Sequence, residues 1–337
     1  MDGACRSNGM RVMGTTIVNL ARTVPDDRRS INWEECNVNA NNVGFIGLGK
    51  MGGAMALNLL TKAVPSLHVY DAVSAAMERL TEVGATACAS PADLAAKCDV
   101  IFICLPFAPE VREVVFGESG IKSAARDGLT IVDTTTLDRS DALAIGADLD
   151  RAGIGYWDCP VSGAPHRAEN GSLTVMFGGT EDAFEAARPY LETFGEDVVH
   201  TGPLGCGQAM KAINNIVYNV NIAAVCEALP LAMAVGLDPD VTARVLTTAS
   251  GRSFASEYFI PRMLERKFDF DFTMNGAYKD IVNVQKMGIE TRASLPVVNA
   301  MIASYQAAIA SGHGDLPKSA MLKVYEKALG VEFKKKN

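Results

Sequence analysis

From Val43 onward, short runs of β-branched and aromatic residues alternate with stretches whose apolar positions recur at helical spacing. Such alternation marks a parallel sheet whose strands are joined by crossover helices. The runs predict strands over residues 42–48, 67–71, 85–87, 100–105, 130–134, 155–160, 172–177 and 198–201. Helices between them are expected to begin near Met51, Ser74, Pro91, Pro109, Asp138 and Glu181. Proline suits two of these starts, because its missing N–H costs nothing in a first helical turn. After Gly207 the β-branched runs stop and helical patterns take over, first across 208–235 and then from Pro239 to the end. The expectation is an α/β domain over 43–206 followed by an all-α helical domain over 207–337. The 208–235 helix is apolar on most sides, so it is expected to be buried between them.

Composition narrows the classes. The 337 residues, 48% hydrophobic and 21% charged, suffice for about two domains with a sizeable core. Net charge is −8 and the basic residues are scattered, so no nucleic-acid partner is expected. Uninterrupted apolar runs such as residues 100–106 fall well below the roughly 18 residues a membrane span requires, so no membrane partner is expected either. The eight cysteines lack C-x-x-C spacing, which points to free thiols in the reducing cytoplasm and to no metal site. Residues 1–42 show no steady hydrophobic period, and their five arginines are matched by five acids. Transit peptides are poor in acids, so this stretch is expected to be a disordered leader.

Gly47, Leu48, Gly49, Lys50, Met51 and Gly52 form a G-x-G-x-x-G loop directly after a strand and directly before a helix. In that context the first glycine permits a tight turn, the second lets backbone approach a pyrophosphate, and the third lets helix pack on strand. Asp71 follows 24 residues after Gly47, at the end of the second predicted strand. A carboxylate there accepts hydrogen bonds from adenosine ribose hydroxyls and repels a 2′-phosphate, which favours NAD over NADP. The first domain therefore reads as a Rossmann-type dinucleotide-binding unit. Leu105 and Pro106 end the fourth strand and Thr135 follows the fifth, so all three are expected at the crevice outside the strand ends, beside the nicotinamide ribose.

The segment Gly44 to Gly52 resembles the N-terminal signature of the β-hydroxyacid dehydrogenases, the group that includes 3-hydroxyisobutyrate dehydrogenase. Three further blocks agree in order and spacing. D-C-P-V-S-G-A from Asp158 to Ala164 is similar to the family's substrate-binding signature. Gly205, Gly207, Lys211, Asn214 and Asn215 are similar to its catalytic one, and Lys279 with Asp280 to its late lysine–aspartate pair. The resemblance implies that Ser162, Gly163, Ala164 and Asn215 bind substrate and that Lys279 reaches cofactor or substrate from the helical domain. It further implies NAD-dependent oxidation of a small 3-hydroxy acid, and the buried helical pattern across 208–235 leads to the expectation that the helical domain mediates a homodimer or homotetramer. The family usually has two glycines after the serine where this chain has Gly163 and Ala164, and alanine would be strained if that backbone needed positive φ. Ser250 to Ser253 resembles a stretch in the branch that oxidises 2-(hydroxymethyl)glutarate, in which case Arg252 binds a second carboxylate.

Alcohol oxidation sends a hydride to nicotinamide while a base takes the hydroxyl proton. Lys211 is the best placed base, because Ala209, Met210 and Ala212 surround it and desolvation disfavours the ammonium. Asn215, one helical turn on, shares its face and is expected to hold the substrate oxygen. His166, in the loop after Ser162, is the competing candidate for a substrate contact. Two alternatives stand beside the dehydrogenase: a semialdehyde reductase working in the opposite direction, and a non-catalytic NAD-binding scaffold.

Overall fold

The computed structural model describes residues 42–269 and 272–336; the proposed leader lies outside them except for Asn42. Among the described residues the first elements are β1 (Val43–Ile46), α1 (Lys50–Lys62), β2 (Leu67–Tyr70), α2 (Ala75–Thr81), β3 (Thr86–Ala87), α3 (Pro91–Ala95), β4 (Val100–Ile103) and α4 (Ala108–Phe116). Next come β5 (Thr130–Asp133), α5 (Arg139–Asp150), β6 (Gly155–Asp158), β7 (Val161–Ser162), α6 (Pro165–Asn170), β8 (Leu173–Gly178), α7 (Glu181–Leu191) and β9 (Gly195–Gly202). From Cys206 the chain is helical: α8 (Cys206–Ala234), α9 (Pro239–Thr248), α10 (Phe254–Leu264), α11 (Met274–Thr291), α12 (Pro296–Ala308) and α13 (Leu322–Leu329).

The sheet runs β3-β2-β1-β4-β5-β6-β8-β7, with β9 on β8. Its first six strands are parallel, and β1 is buried at every position, as a strand covered by helices on both faces must be. A wholly parallel sheet was the expectation, and the last third corrects it: β8 is antiparallel to both β6 and β7. The chain continues from β6 into β7 in the same direction and then turns back through residues 163–172, which hold only the short α6, so β8 returns beside both as in a hairpin. β7 and α6 were absent from the expected elements, β3 is shorter than 85–87, β9 is longer than 198–201, and α8 starts at Cys206 rather than 208.

Two aromatic centres anchor the packing. Phe45 stacks on Phe102 at 6.1 Å between ring centroids, with Tyr190 and Phe194 edge-on to Phe102, tying β1 and β4 to the α7 side of the sheet. In the helical part, Phe259, Tyr305 and Phe333 are fully buried against α8 and its neighbours. Helix α8 packs on β6, β8 and β9 as well as on α10, α11, α12 and α13, so it joins the two halves. By length and composition it would also suffice to cross a membrane, a property that a search for uninterrupted apolar runs overlooks.

A buried carboxylate fixes the start of α8. Asp158 accepts the Gly205 N–H at 2.6 Å and the Gln208 N–H at 2.7 Å, satisfying two of the helix's otherwise unpaired amides and complementing its dipole. Burial pushes the Asp158 carboxyl up to about 6, against the pull of these two bonds. Gly207 allows the close seat, because a Cβ there would fall 2.5 Å from the Met176 carbonyl oxygen of β8. The Gln208 side chain completes the joint, donating to Thr135 O at 2.7 Å and accepting from Leu137 N–H at 2.9 Å.

Replacing Asp158 by alanine leaves two buried amides unpaired at the root of α8. The expected loss is about 3 kcal/mol of unfolding free energy, with Asp158→Asn in between because its amide retains one acceptor. Urea-unfolding midpoints check this, and an unchanged midpoint in Asp158→Ala refutes it.

Candidate active site

The strand ends assemble a cofactor cradle. Gly47 has φ +91° and its Cβ would collide with Cys104 O at 2.1 Å, while a Cβ on Gly52 would sit 1.9 Å from Gly47 O. Both must be glycine for the turn to close on β4. Gly49 differs: nothing lies within 4 Å of its Cβ position, and no side chain caps the start of α1. That open space beside uncapped helix amides is what a pyrophosphate requires, so these residues fit NAD. Leu48 lies in the buried part of this loop and Lys50 and Met51 open α1, with Lys50 exposed.

Asp71 stands at the end of β2. Its Oδ2 accepts the Leu48 N–H at 2.7 Å and its Oδ1 the Val73 N–H at 2.8 Å, so the carboxylate is held beside the glycine loop. Leu105 and Pro106 follow β4, and the Leu105 N–H donates to Thr135 Oγ1 at 3.0 Å. Thr135 itself is 1% exposed. Its hydroxyl holds the β4 loop in place rather than facing a ribose, which corrects the direct role expected of it. Phe107, which follows Pro106, is half exposed, and the Lys279 ammonium rests 4.7 Å from its ring centroid. These two help line a groove of about 330 Å³ between the β4–α4 loop and α11.

Beyond the groove, α8 brings Lys211, Asn214, Asn215 and Tyr218 onto neighbouring turns. Burial lowers the Lys211 ammonium to about 8, with Asp280 pulling the other way and Lys318 adding to the lowering. The amide that reaches Ser162 Oγ is that of Asn214, at 3.5 Å. Asn215 instead donates to Asp280 Oδ2 at 2.9 Å and accepts from Asn214 at 3.2 Å. Asp280, on α11, is raised by burial while Asn215, Lys211, Lys279 and Lys318 oppose the shift.

In the loop after β7, the positive φ falls on Gly163, at +145°, where a Cβ would also strike Leu173. Ala164 has φ −77° and ψ 166°, so alanine in place of a second glycine brings no strain. His166 is exposed on α6. Arg252 is exposed and faces Glu257 at 3.4 Å, so in this structure its guanidinium is engaged by an acid of its own chain. Sequence reasoning missed the hydrogen bond from Asn215 to Asp280, the capping by Asp158 and the neighbouring charge of Lys318. The available signal was polar residues inside otherwise apolar stretches, as Asp158 after Tyr156 and Trp157. Among the described residues no cluster of three potential metal ligands occurs.

Comparison with known proteins agrees with this architecture. Residues 42–202 match the family model described as the NAD binding domain of 6-phosphogluconate dehydrogenase. Residues 205–325 match the one described as NAD-binding of NADP-dependent 3-hydroxyisobutyrate dehydrogenase. The chain is 36% identical over 290 residues to 2-(hydroxymethyl)glutarate dehydrogenase of Eubacterium barkeri, covering 86% of this chain and 96% of that one. It is 37% identical over 219 residues to the mitochondrial 3-hydroxyisobutyrate dehydrogenase of Homo sapiens, 65% of either chain. The solved structure of 3-hydroxyisobutyrate dehydrogenase from Salmonella typhimurium superposes with a TM-score of 0.74 at 30% identity, covering 84% of this chain and 99% of that one.

The lowering of Lys211 gives its expected role as base a pH signature. A base must be neutral to take a proton, so the rate of alcohol oxidation should rise with pH through an apparent pKa near 8. Lys211→Ala should lower kcat about 100-fold or more with NAD affinity little changed, and Lys211→Arg should not restore it, since guanidinium stays protonated. Steady-state rates over pH 6 to 10, paired with NAD titration, decide the matter; near-normal turnover by Lys211→Ala overturns the role.

Proposed function

We propose, for a chain that belongs to the β-hydroxyacid dehydrogenase family, that Lys211 exchanges the hydroxyl proton during NAD-dependent oxidation of a small 3-hydroxy carboxylic acid to its semialdehyde or oxo acid. The observation that carries this reading is the convergence on one face of α8 of a lysine lowered to about 8 and an amide directed at Ser162. NAD, when bound, accepts the hydride from the substrate carbon. Gly47, Leu48, Gly49, Lys50, Met51, Gly52 and Asp71 would hold its adenosine and pyrophosphate, and Leu105, Pro106 and Lys279 its nicotinamide half. Ser162, Gly163 and Ala164 receive the substrate carboxylate, with Asn214 steadying Ser162. Asn215 has one amide hydrogen committed to Asp280, which leaves the other for the substrate oxygen.

The reverse reaction uses the same groups. At neutral pH a lysine lowered to about 8 is mostly protonated, so it serves as the acid that a semialdehyde reduction needs. The relatives support two substrate shapes, a monocarboxylate as in 3-hydroxyisobutyrate and a dicarboxylate as in 2-(hydroxymethyl)glutarate. Turnover assays with both acids and their semialdehydes, followed by nicotinamide absorbance, separate these readings. NAD binding without turnover of any of them would favour a non-catalytic scaffold.

One solved relative, 25% identical, holds NADP+, so the fold admits either cofactor and the residue at the end of β2 chooses. With both Asp71 oxygens fixed by backbone amides, the carboxylate cannot swing away from a 2′-phosphate. NAD should be preferred at least about tenfold, or about 1.4 kcal/mol, and Asp71→Ala should narrow the ratio. Equal kcat/KM for both cofactors in the wild type sinks the assignment.

We further propose a homodimer or homotetramer in the cytoplasm. Met210, Ile213, Val217, Leu231 and Val235 leave an exposed apolar stripe along α8, of the kind that another copy covers. The described cysteines are free thiols, which suits a reducing compartment. Light scattering at micromolar concentration should show an oligomer, and a monomer there refutes that part; cell fractionation tests the location.

A further inference from the structure

Lys318 is a charged residue with 4% exposure, placed in the helical core near the acid–base lysine. The loop before it is tied to the start of α11: Thr273 pairs with Pro317 as an isolated bridge, Met274 N–H donates to Leu316 O at 2.9 Å, and Asn275 N–H to Gly314 O at 2.9 Å. The 3₁₀ turn Lys318–Met321 then packs on α8, where the Cys226 thiol approaches Ser319 O. This seat carries the Lys318 ammonium to 4.0 Å from the centroid of the Tyr218 ring. Tyr218 is seven residues beyond Lys211 on α8, two helical turns and about 10 Å along the same face. The ring quadrupole attracts the ammonium and holds it in place over the aromatic face.

We propose that Lys318 is a positioning residue for the reaction assigned above: its ammonium, held over Tyr218 on the Lys211 face of α8, keeps a positive charge close to Lys211 and favours the neutral amine that accepts the substrate proton. The inference rests on Lys211 being the acid–base group.

The charges that reach Lys211 come from two sides. Asp280, on α11, favours its ammonium, and Lys318 opposes it. Lys279 faces Phe107, and its charge is felt by Asp280. Other charged groups on elements packed against α8 are engaged elsewhere. Asp158 of β6 caps the helix amides, Glu326 of α13 binds Arg266, and Glu257 of α10 meets Arg252. Glu227, on α8 itself, accepts from Ser304 and Tyr325. A like charge in a poorly solvated region is felt over such distances, because the effective dielectric lies far below that of water. Without Lys318, burial would still lower Lys211, but the pull of Asp280 would meet less resistance.

The test is to titrate the Lys211 amine directly, by competitive trace acetylation read by peptide mass spectrometry over pH 6 to 10.5, in wild type, Lys318→Met and Lys318→Arg. In Lys318→Met the Lys211 midpoint should rise by about half a unit or more, and alcohol oxidation at pH 7 should fall about threefold in step. Lys318→Arg, which keeps the charge, should retain the wild-type midpoint. An unmoved midpoint in a folded, NAD-binding Lys318→Met overturns the proposal. Should Lys318→Met fail to fold, Tyr218→Leu provides the second arm. Freeing the ammonium from its ring should raise the Lys211 midpoint in the same direction, and no rise there overturns the proposal equally. Labelling requires no turnover, so a wild type that oxidises no 3-hydroxy acid would count against the proposed reaction, while the midpoints would still decide the part played by Lys318.

Discussion

The capping of α8 by Asp158 is the contact on which the arrangement of the site depends. The two bonds from Gly205 and Gln208 amides to one carboxylate join the sheet to the helix that carries Lys211. Gly207 brings the backbones of β8 and α8 close enough for that geometry, and Gln208 ties the β5 loop to the same turn. Rotation of α8 about its axis would carry Lys211, Asn214 and Asn215 away from Ser162 together. A charged side chain sealed inside protein is costly, and here two amides and a helix dipole offset that cost. Asp133 shows the same economy one strand away: burial pushes it up to about 6 while Tyr156 and Thr135 bond to it.

The glycine loop works through exclusion in two places and openness in a third. Gly47 and Gly52 are required by carbonyl oxygens already present, so they fix the turn whether or not a cofactor is bound. Gly49 meets no such neighbour, and its lack of a side chain leaves open space beside the uncapped amides of α1. This separates the two glycines that the fold itself requires from the third within a single motif. The same logic applies at Gly163 and Ala164: the left-handed requirement falls on the first, so replacing the second glycine changes side-chain volume in the substrate loop and not backbone shape.

Much of this was legible in order along the chain because it is local. A strand, a turn of glycines, a helix and an acid at the next strand end all lie within 30 residues, and each reports its own geometry. The one-turn spacing from Lys211 to Asn215 placed both on a common helix face. Which of Asn214 and Asn215 meets Ser162 depends on how α8 is rotated, and that is fixed by Asp158, about 50 residues earlier. Likewise the reversal at β8 follows from the ten residues between β7 and β8, too few for a full crossover, a count that is visible only once β7 is recognised as a strand. Thr135 was placed at the crevice by its strand end, but its burial follows from the Leu105 amide across the sheet. Lys318 carried no local mark, since its neighbourhood is created by the bridge between Thr273 and Pro317.

A general acid–base lysine needs a pKa near the working pH, which neither full exposure nor a close ion pair supplies. Exposure would leave Lys211 near 10.5, and a direct bond to a carboxylate would raise it further. Here the nearby carboxylate of Asp280 accepts its hydrogen bond from Asn215, and its pull on Lys211 is Coulombic. Interposing an amide weakens that attraction without leaving Asp280 unbonded in a poorly hydrated place. Desolvation is then the largest influence on Lys211 and brings it to about 8, where proton transfer in either direction is open. The same amide is held by Asn214 on its oxygen side and by Asp280 on its nitrogen side, which fixes its orientation. One polar chain, running from Ser162 through Asn214 and Asn215 to Asp280, therefore ties the loop after β7 to α8 and α11 and fixes the carboxylate whose charge reaches the neighbouring lysine.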